Sequence, residues 1–241
     1  MKKKPDIKKS KLPFVFSNFA ITADGKIAFA NGEFVPFGSK CDHEHMMELR
    51  ATADAVMAGA RTVEASGAVM SPGGKKFQRL RFARGLAEYN LRVIITGNGS
   101  INMRAEIFKH RFSPIIVLTS ARTPGKKLRQ LQGIADEIKV FGETEIDFVA
   151  ALRWLRVKWK VKRLLCEGGG ALHGTMVRAG LIDELHLTIC PKIFGGRTAP
   201  TIAEGGRIMK LADAAQFRFT SAKRAGDELF VVLTAAKKRQ S

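Results

Sequence analysis

Apolar and polar positions follow two different periods along this chain, and the changes of period mark its elements. PFVFSNFAIT (residues 13–22) is rich in β-branched and aromatic residues and predicts a buried strand. It ends at the turn residues ADGK (23–26), and a second short apolar run, IAFA, follows. HEHMMELRATA (43–53) shifts to a spacing near 3.6 behind Asp42, a good N-cap, and predicts a helix. DAVMAGA (54–60), LRVIIT (91–96), PIIVLT (114–119) and EIKVF (137–141) are apolar runs of strand length. The basic, glycine-rich stretch from Gly67 to Gly85 predicts a loop with a little helix, and GKKLRQLQG predicts a helix between the last two strands. EIDFVAALRWLRVK (145–158) is amphipathic and leads into a strand, VKRLLCE (161–167). LHGTMVRAG (172–180) predicts a helix stopped by Gly180, and LIDELHLTICPKIFGG a strand broken by proline. FRFTSAKRAGDELFVVLTAA (217–236) alternates on both sides of AGD, a hairpin signal.

Strands alternate with helices through the middle of the chain and a hairpin closes it. That order predicts an α/β domain with a mostly parallel central sheet, flanking helices and an antiparallel C-terminal hairpin. No internal repeat or linker divides it, so one domain is expected over 12–236. Residues 1–11 are expected to be a disordered basic tail, and 237–241 a second basic tail.

Composition narrows the setting. The 241 residues are 45% hydrophobic and 26% charged, ordinary for a soluble globular chain that fills one large domain or at most two small ones. No apolar run approaches the roughly 18 residues that span a bilayer, and the basic N-terminus has no apolar stretch behind it to act as a secretory signal. Cys41, Cys166 and Cys190 are odd in number, far apart and outside any CxxC pair, which points to reduced thiols and a cytoplasmic address. The net charge of +19 is unusual: six lysines and one aspartate in residues 1–11 give +5, Lys237, Lys238 and Arg239 give +3, and +11 remains in the body. Such a surface attracts anions: phosphorylated metabolites, phosphate-bearing cofactors or nucleic acid.

Three strand ends carry candidate chemistry. Glu167 follows VKRLLCE, and Gly168, Gly169 and Gly170 then turn into a helix; bare backbone at a helix N-terminus suits phosphate, although the pattern is not GxGxxG. TGNGS (96–100) offers Thr96, Ser100 and Asn98 with two bare glycines, which is also a common turn composition. MAGARTV (57–63) repeats the theme with Gly59, Arg61 and Thr62. DHEHMME lacks the second histidine of HExxH, since position 47 is Met47, and His43 and His45 lie on different helix faces; no metal site is expected. RWLRVKWKVKR (153–163) interleaves tryptophans with cations, the composition either of a nucleic-acid surface or of an amphipathic helix packed through Trp154 or Trp159. His173 and His186 read as local hydrogen-bonding residues, and Cys166 and Cys190 as core.

FVFSNFAITADGKIA, LRATADAVMAGARTV and LLCEGGGALHGTMVRAGLIDELHLTICPKIFGG, in this order and spacing, resemble the riboflavin-biosynthesis pyrimidine reductases, the RibD-type C-terminal reductase domain. The resemblance covers roughly residues 12 to 235. It implies the dihydrofolate-reductase-like fold, a homodimer, and NADPH-dependent reduction of a phosphoribosylamino-pyrimidine, as in 5-amino-6-(5-phosphoribosylamino)uracil reductases. The resemblance admits both the deaminated and the non-deaminated pyrimidine, and a reductase of the same fold with another substrate is the nearest alternative; a basic nucleic-acid-binding module is the alternative of a different class. By motif position, the resemblance implies that Lys26 and Glu167 face the substrate and steer protonation, with Asp24 shaping the same turn. It likewise implies that Gly59, Thr62, Gly168, Gly169 and Gly170 hold the cofactor, with Thr96 and Ser100 near its adenosine 2′-phosphate. Two departures stand out. The zinc deaminase that precedes this domain in bifunctional members is not expected here. The segment EASGAVMSPGGKKFQRLR replaces an acidic loop of many members, leaving Lys75, Lys76, Arg79 and Arg81 as substitute phosphate anchors.

Overall fold

The computed structural model describes residues 11–206 and 208–236; the two basic tails, apart from Lys11, lie outside them. In chain order the elements are β1 (Phe14–Thr22), α1 (Lys40–Thr52), β2 (Ala55–Gly59), α2 (Ala60–Ser66), α3 (Lys75–Phe82), β3 (Leu91–Ile95), α4 (Glu106–Lys109) and β4 (Ile115–Thr119). There follow α5 (Gly125–Gln132), β5 (Glu137–Val140), α6 (Phe148–Lys158), β6 (Arg163–Cys166), α7 (Gly170–Arg178), β7 (Glu184–Cys190), β8 (Phe217–Ala225) and β9 (Glu228–Ala235). The strands form one mostly parallel sheet in the order β5-β4-β3-β2-β6-β1-β7-β9-β8, closed by the antiparallel hairpin that the terminal alternation predicts. The chain divides into two compact units: 11–14 with Met47–Leu165, and Val15–Met46 with the chain from Cys166 onward.

In the first unit β2, β3, β4 and β5 run parallel, pairing Ala58 with Ile94, Ile94 with Val117 and Val117 with Ile138. Val56, Met57, Val93, Ile94, Ile115 and Ile116 are fully buried. Strands covered on both faces read as unbroken apolar runs, which is why these were legible by composition alone. Arg92 of β3 interrupts one such run and is itself fully buried. Its guanidinium donates to Ile107 O (3.1 Å) and Ser113 O (2.5 Å) and stacks 4.2 Å from the Phe112 ring centre. Burial pulls its pKa down to about 10, so it stays charged at neutral pH.

In the second unit β1 runs parallel to β7, with Phe19 opposite Leu187 and Thr22 opposite Cys190. β7 and β9 are antiparallel, and β8 completes the hairpin with a register shift between Phe219 and Ser221. Arg218, Lys223 and Arg224 on β8 put charge on the edge strand, which discourages further strand pairing. Among the apolar residues of β8, Phe219 is 75% exposed.

Helix α1 begins three residues before the expected start, because its cap is Ser39 and not Asp42. The Ser39 hydroxyl accepts from Cys41 N and Asp42 N, and Ser39 O accepts the first helical bond from His43 N. Ser39 is fixed in turn by Glu228, which accepts from Ser39 N (2.7 Å) and Ser39 Oγ (2.5 Å). Ser39 and Asp42 are both good cap residues, and only the long-range anchor on Glu228 chooses between them. Asp42 falls in the first turn, where burial raises its carboxyl pKa above the usual value and Glu228 adds like-charge repulsion. A carboxyl that holds its proton more tightly in the folded state makes stability fall as pH rises from its ordinary pKa through the raised one. Asp42→Asn is therefore expected to flatten that decline in urea unfolding measured across the acid range; an unchanged pH profile refutes the assignment.

Candidate active site

The ADGK turn after β1 is tightly determined. Thr22 N donates to Lys26 O (2.9 Å), Lys26 N to the Thr22 hydroxyl (2.9 Å), and Gly25 takes φ +78°, which a side chain would resist. Asp24 accepts from the Thr22 hydroxyl (2.6 Å), Phe194 N (3.2 Å) and Gly195 N (2.8 Å). These bonds, the Thr22 hydroxyl first, hold the carboxyl below its usual pKa. Asp24 thus clasps its own turn to the FGG bend. Lys26 is half-buried, and its ammonium donates to Ala199 O at 3.3 Å.

In the glycine turn after β6 the protein's own packing leaves no room for a side chain at two of the three glycines. Gly168 takes φ +83°, and a Cβ there would sit 2.6 Å from the Phe19 ring. A Cβ on Gly170 would meet Thr201 O at 2.2 Å, and one on Gly174 would meet Glu204 O at 2.3 Å. What lies so close to this backbone is therefore the protein's own chain. Gly169 is the N-cap position of α7. Glu167 is half-buried at the end of β6, immediately before the turn.

The segment that presses on these glycines is a strap, residues 199–206. Its Thr201 forms an antiparallel bridge with Lys26, and Ile27 N donates to Pro200 O. Its Glu204 N donates to Gly170 O (3.0 Å), and Arg178 of α7 donates to Glu204 O (2.9 Å) and to Gly205 O. One segment thus ties the Lys26 turn to the helix that follows Glu167. Beneath it, His173 is buried between Ile202 O (2.7 Å) and the Ser17 hydroxyl (3.0 Å), with its ring 4.8 Å from Phe19. His186, the other histidine read as local, bonds Glu184 (2.8 Å) and faces His45.

Gly59, Thr62, Thr96 and Ser100 belong to the first unit. Gly59 is the N-cap position of α2, with Thr62 inside that helix. Thr96 is buried, and its hydroxyl donates to Ser100 O (3.1 Å), so it shapes the TGNGS loop from within. Gly97 O accepts from Ser120, and Gly99 takes φ +69° where a Cβ would strike Thr123. Ser100 is exposed, and the Lys127 ammonium donates to its hydroxyl at 2.6 Å. Both line an open groove of about 410 Å³ with Glu64, Asn102, Met103 and Gln130. Ser100 and Lys127 supply this groove with a hydroxyl and a cation, and Glu64 sets a carboxylate on the same lining.

Two candidate surfaces change. Arg81 is fully buried, and its guanidinium donates to Ala87 O (2.7 Å), Arg50 O (2.9 Å) and Ala53 O (2.6 Å). It closes the end of α1 and is spent as a phosphate anchor, whereas Lys75, Lys76 and Arg79 are exposed on α3. Trp154 is core, 5.8 Å from Phe141, and the Trp159 indole N–H donates to Glu137. The tryptophans of RWLRVKWKVKR therefore serve packing, as an amphipathic α6 requires.

A family model described as the RibD C-terminal domain matches residues 13–231. The chain belongs to that family. It is 31% identical to the 2,5-diamino-6-ribosylamino-4(3H)-pyrimidinone 5′-phosphate reductase of Archaeoglobus fulgidus over 82% of this chain and 89% of that protein. It is also 31% identical to the reductase of the same name from Methanothermobacter thermautotrophicus, over 92% of this chain and 98% of the relative. A pyrimidine reductase-like protein of Corynebacterium diphtheriae, 19% identical, superposes with a TM-score of 0.77 over 93% of this chain and 92% of that one, showing the same fold.

Within the RibD-type domain, Lys127 and Arg178 carry no mark in the sequence, and His173, expected to make local hydrogen bonds, instead bonds Ser17 and Ile202, both distant in the chain. Each sits at an ordinary position of an amphipathic helix, and only the loop that packs against it reveals its work. The strap also makes the glycines testable. Gly170→Ala is expected to lose about 1–3 kcal/mol in urea unfolding, because backbone must move to admit the methyl. Gly97→Ala, whose Cβ would meet nothing within 4 Å, is expected to change stability far less. Equal unfolding midpoints for the two variants would contradict the packing account.

Proposed function

We propose that this protein reduces 2,5-diamino-6-ribosylamino-4(3H)-pyrimidinone 5′-phosphate to its ribitylamino counterpart with NADPH. The observation that carries this reading is the 31% identity to the Methanothermobacter reductase across nearly the whole of both chains. The diamino form of the pyrimidine is preferred because both 31%-identical relatives are named for it.

The chemistry opens the ribose ring to an imine and delivers a hydride to its C1 carbon, leaving an open ribityl chain. A nicotinamide cofactor, when bound, supplies that hydride. The chain's own part is to place the imine, supply or orient a proton, and hold the anionic groups. Lys26, fixed by the Thr22 and Thr201 pairings, presents an ammonium for imine polarisation or proton delivery. Glu167 is its counterpart at the end of β6. Asp24 acts by holding the turn, since its carboxylate is committed to Thr22, Phe194 and Gly195. Ser100 with Lys127 meets the adenosine 2′-phosphate, which is the reason for reading NADPH and not NADH. Gly59 and Thr62 are read as cofactor contacts of the first unit; Gly168, Gly169 and Gly170 are read as cofactor contacts of the second, where Gly168 and Gly170 are also required by packing. Lys75, Lys76 and Arg79 remain exposed cations for the substrate phosphate. Three unpaired cysteines favour a cytoplasmic location. Among the described residues no helix is long and apolar enough to cross a membrane.

Incubation with NADPH and the diamino substrate should consume NADPH absorbance, and Glu167→Gln should lower turnover by about a hundredfold or more while keeping NADPH affinity. A fully active variant would refute the role of Glu167. NADPH binding without turnover would point to another substrate of the same fold. Absence of NADPH binding, with tight salt-sensitive RNA binding instead, would replace the enzyme reading altogether.

We also read the protein as a homodimer that covers the exposed apolar positions of the terminal hairpin, Phe219 and Leu229. Sedimentation equilibrium should return twice the chain mass, and Phe219→Lys should shift it toward one chain; a monomeric wild type would overturn this.

A further inference from the structure

The His173 ring lies at the centre of the strap's attachment, and its two nitrogens have different partners. Ile202 O can only accept, so Nδ1 carries the proton and donates to it at 2.7 Å. Nε2 is then a bare acceptor, and the buried Ser17 hydroxyl donates to it at 3.0 Å. Burial supports the neutral form that this arrangement requires, since it lowers the ring's pKa. Phe19 closes the ring edge at 4.8 Å and also lies against Gly168. The imidazole therefore joins three things: strand β1 through Ser17, the glycine turn through Phe19, and the strap through Ile202.

Thr22 holds the Lys26 backbone from one side, and the strap holds it from the other and takes the ammonium. Thr201, the neighbour of Ile202, forms the bridge to Lys26, and Ala199 O accepts from the Lys26 ammonium. The strap has no regular structure of its own, so its position depends on bonds to α7 and to the ADGK turn. Arg178 and Gly170 hold its Glu204 end, whereas His173 holds the residue adjoining the Lys26 bridge.

We propose that His173 is a positioning residue for the reduction, latching the strap at Ile202 O so that Thr201 and Ala199 aim the Lys26 ammonium at the substrate. This rests on the reading of Lys26 as a substrate-facing group. The latch itself rests only on the hydrogen bonds described.

The two ring nitrogens allow a discriminating test. The amide nitrogen of asparagine stands one bond past Cγ, where Nδ1 stands, and can donate to Ile202 O. The amide of glutamine reaches the region of Nε2 and leaves Ile202 O without its donor. His173→Asn should therefore keep kcat within a few-fold of wild type, while His173→Gln should lower it about tenfold or more with NADPH affinity unchanged. Hydrogen exchange should accelerate at the Glu204 and Ile27 amides in the glutamine variant and much less in the asparagine variant. Nitrogen NMR of histidine-labelled wild type should show His173 protonated at Nδ1 alone. The opposite tautomer, or equal exchange in the two variants, overturns the latch. Equal kcat losses in the two variants, or two fully active variants that differ only in thermal stability, overturn the positioning role. A wild type that shows the tautomer and the exchange pattern but does not turn over the pyrimidine overturns the functional reading and leaves the latch standing.

Discussion

The backbone of Thr201 and Glu204 lies against helix α7 at a distance that admits no side chain at Gly170 or Gly174. Much of the arrangement around the ADGK turn depends on that close approach. It permits the bond from Glu204 N to Gly170 O and brings Ile202 O over His173. It also lets the strap reach Lys26 through Thr201. Bare backbone is used here to let two pieces of main chain touch, and hydrogen bonds between them replace what side-chain packing would have supplied. Helix and strap thereby add to the hold that Thr22, Lys192 and the FGG bend already have on the turn.

Charge plays two separate parts in this molecule. Buried Arg81 and Arg92 have been removed from the surface balance, since their guanidinium groups donate to main-chain carbonyls at the ends of elements. Several fixed donors on a planar group suit that work, and the bonds offset part of the cost of burial. The exposed cations are the ones that bear on anions. Among these, Lys127 lines a groove and shares a hydrogen bond with the Ser100 hydroxyl.

The strands and the closing hairpin were legible because burial on both faces, or on one, leaves a direct mark on the order of apolar residues. Helix α1 shows where such legibility stops. Its first turn contains two competent caps three residues apart, and the choice fell to Ser39 because Glu228, distant in sequence, holds it. Arg81 shows the same limit for chemistry. In a run of four cations nothing local distinguishes the one that turns inward to three carbonyls from those that stay in solvent. Asp24, Lys26 and Glu167 became candidates through motif and strand-end position, whereas the hydrogen bonds of His173, Arg178 and Lys127 go to partners from 26 to 156 residues away.

The periods, the strand ends and the placing of glycines can be read along the chain, because they depend on neighbours within a few residues. The stretch LLCEGGGALHG announced that something must approach its backbone closely. That Phe19 and the strap make that approach emerges only in the folded chain, because a missing side chain records a need for space and not the identity of what fills it.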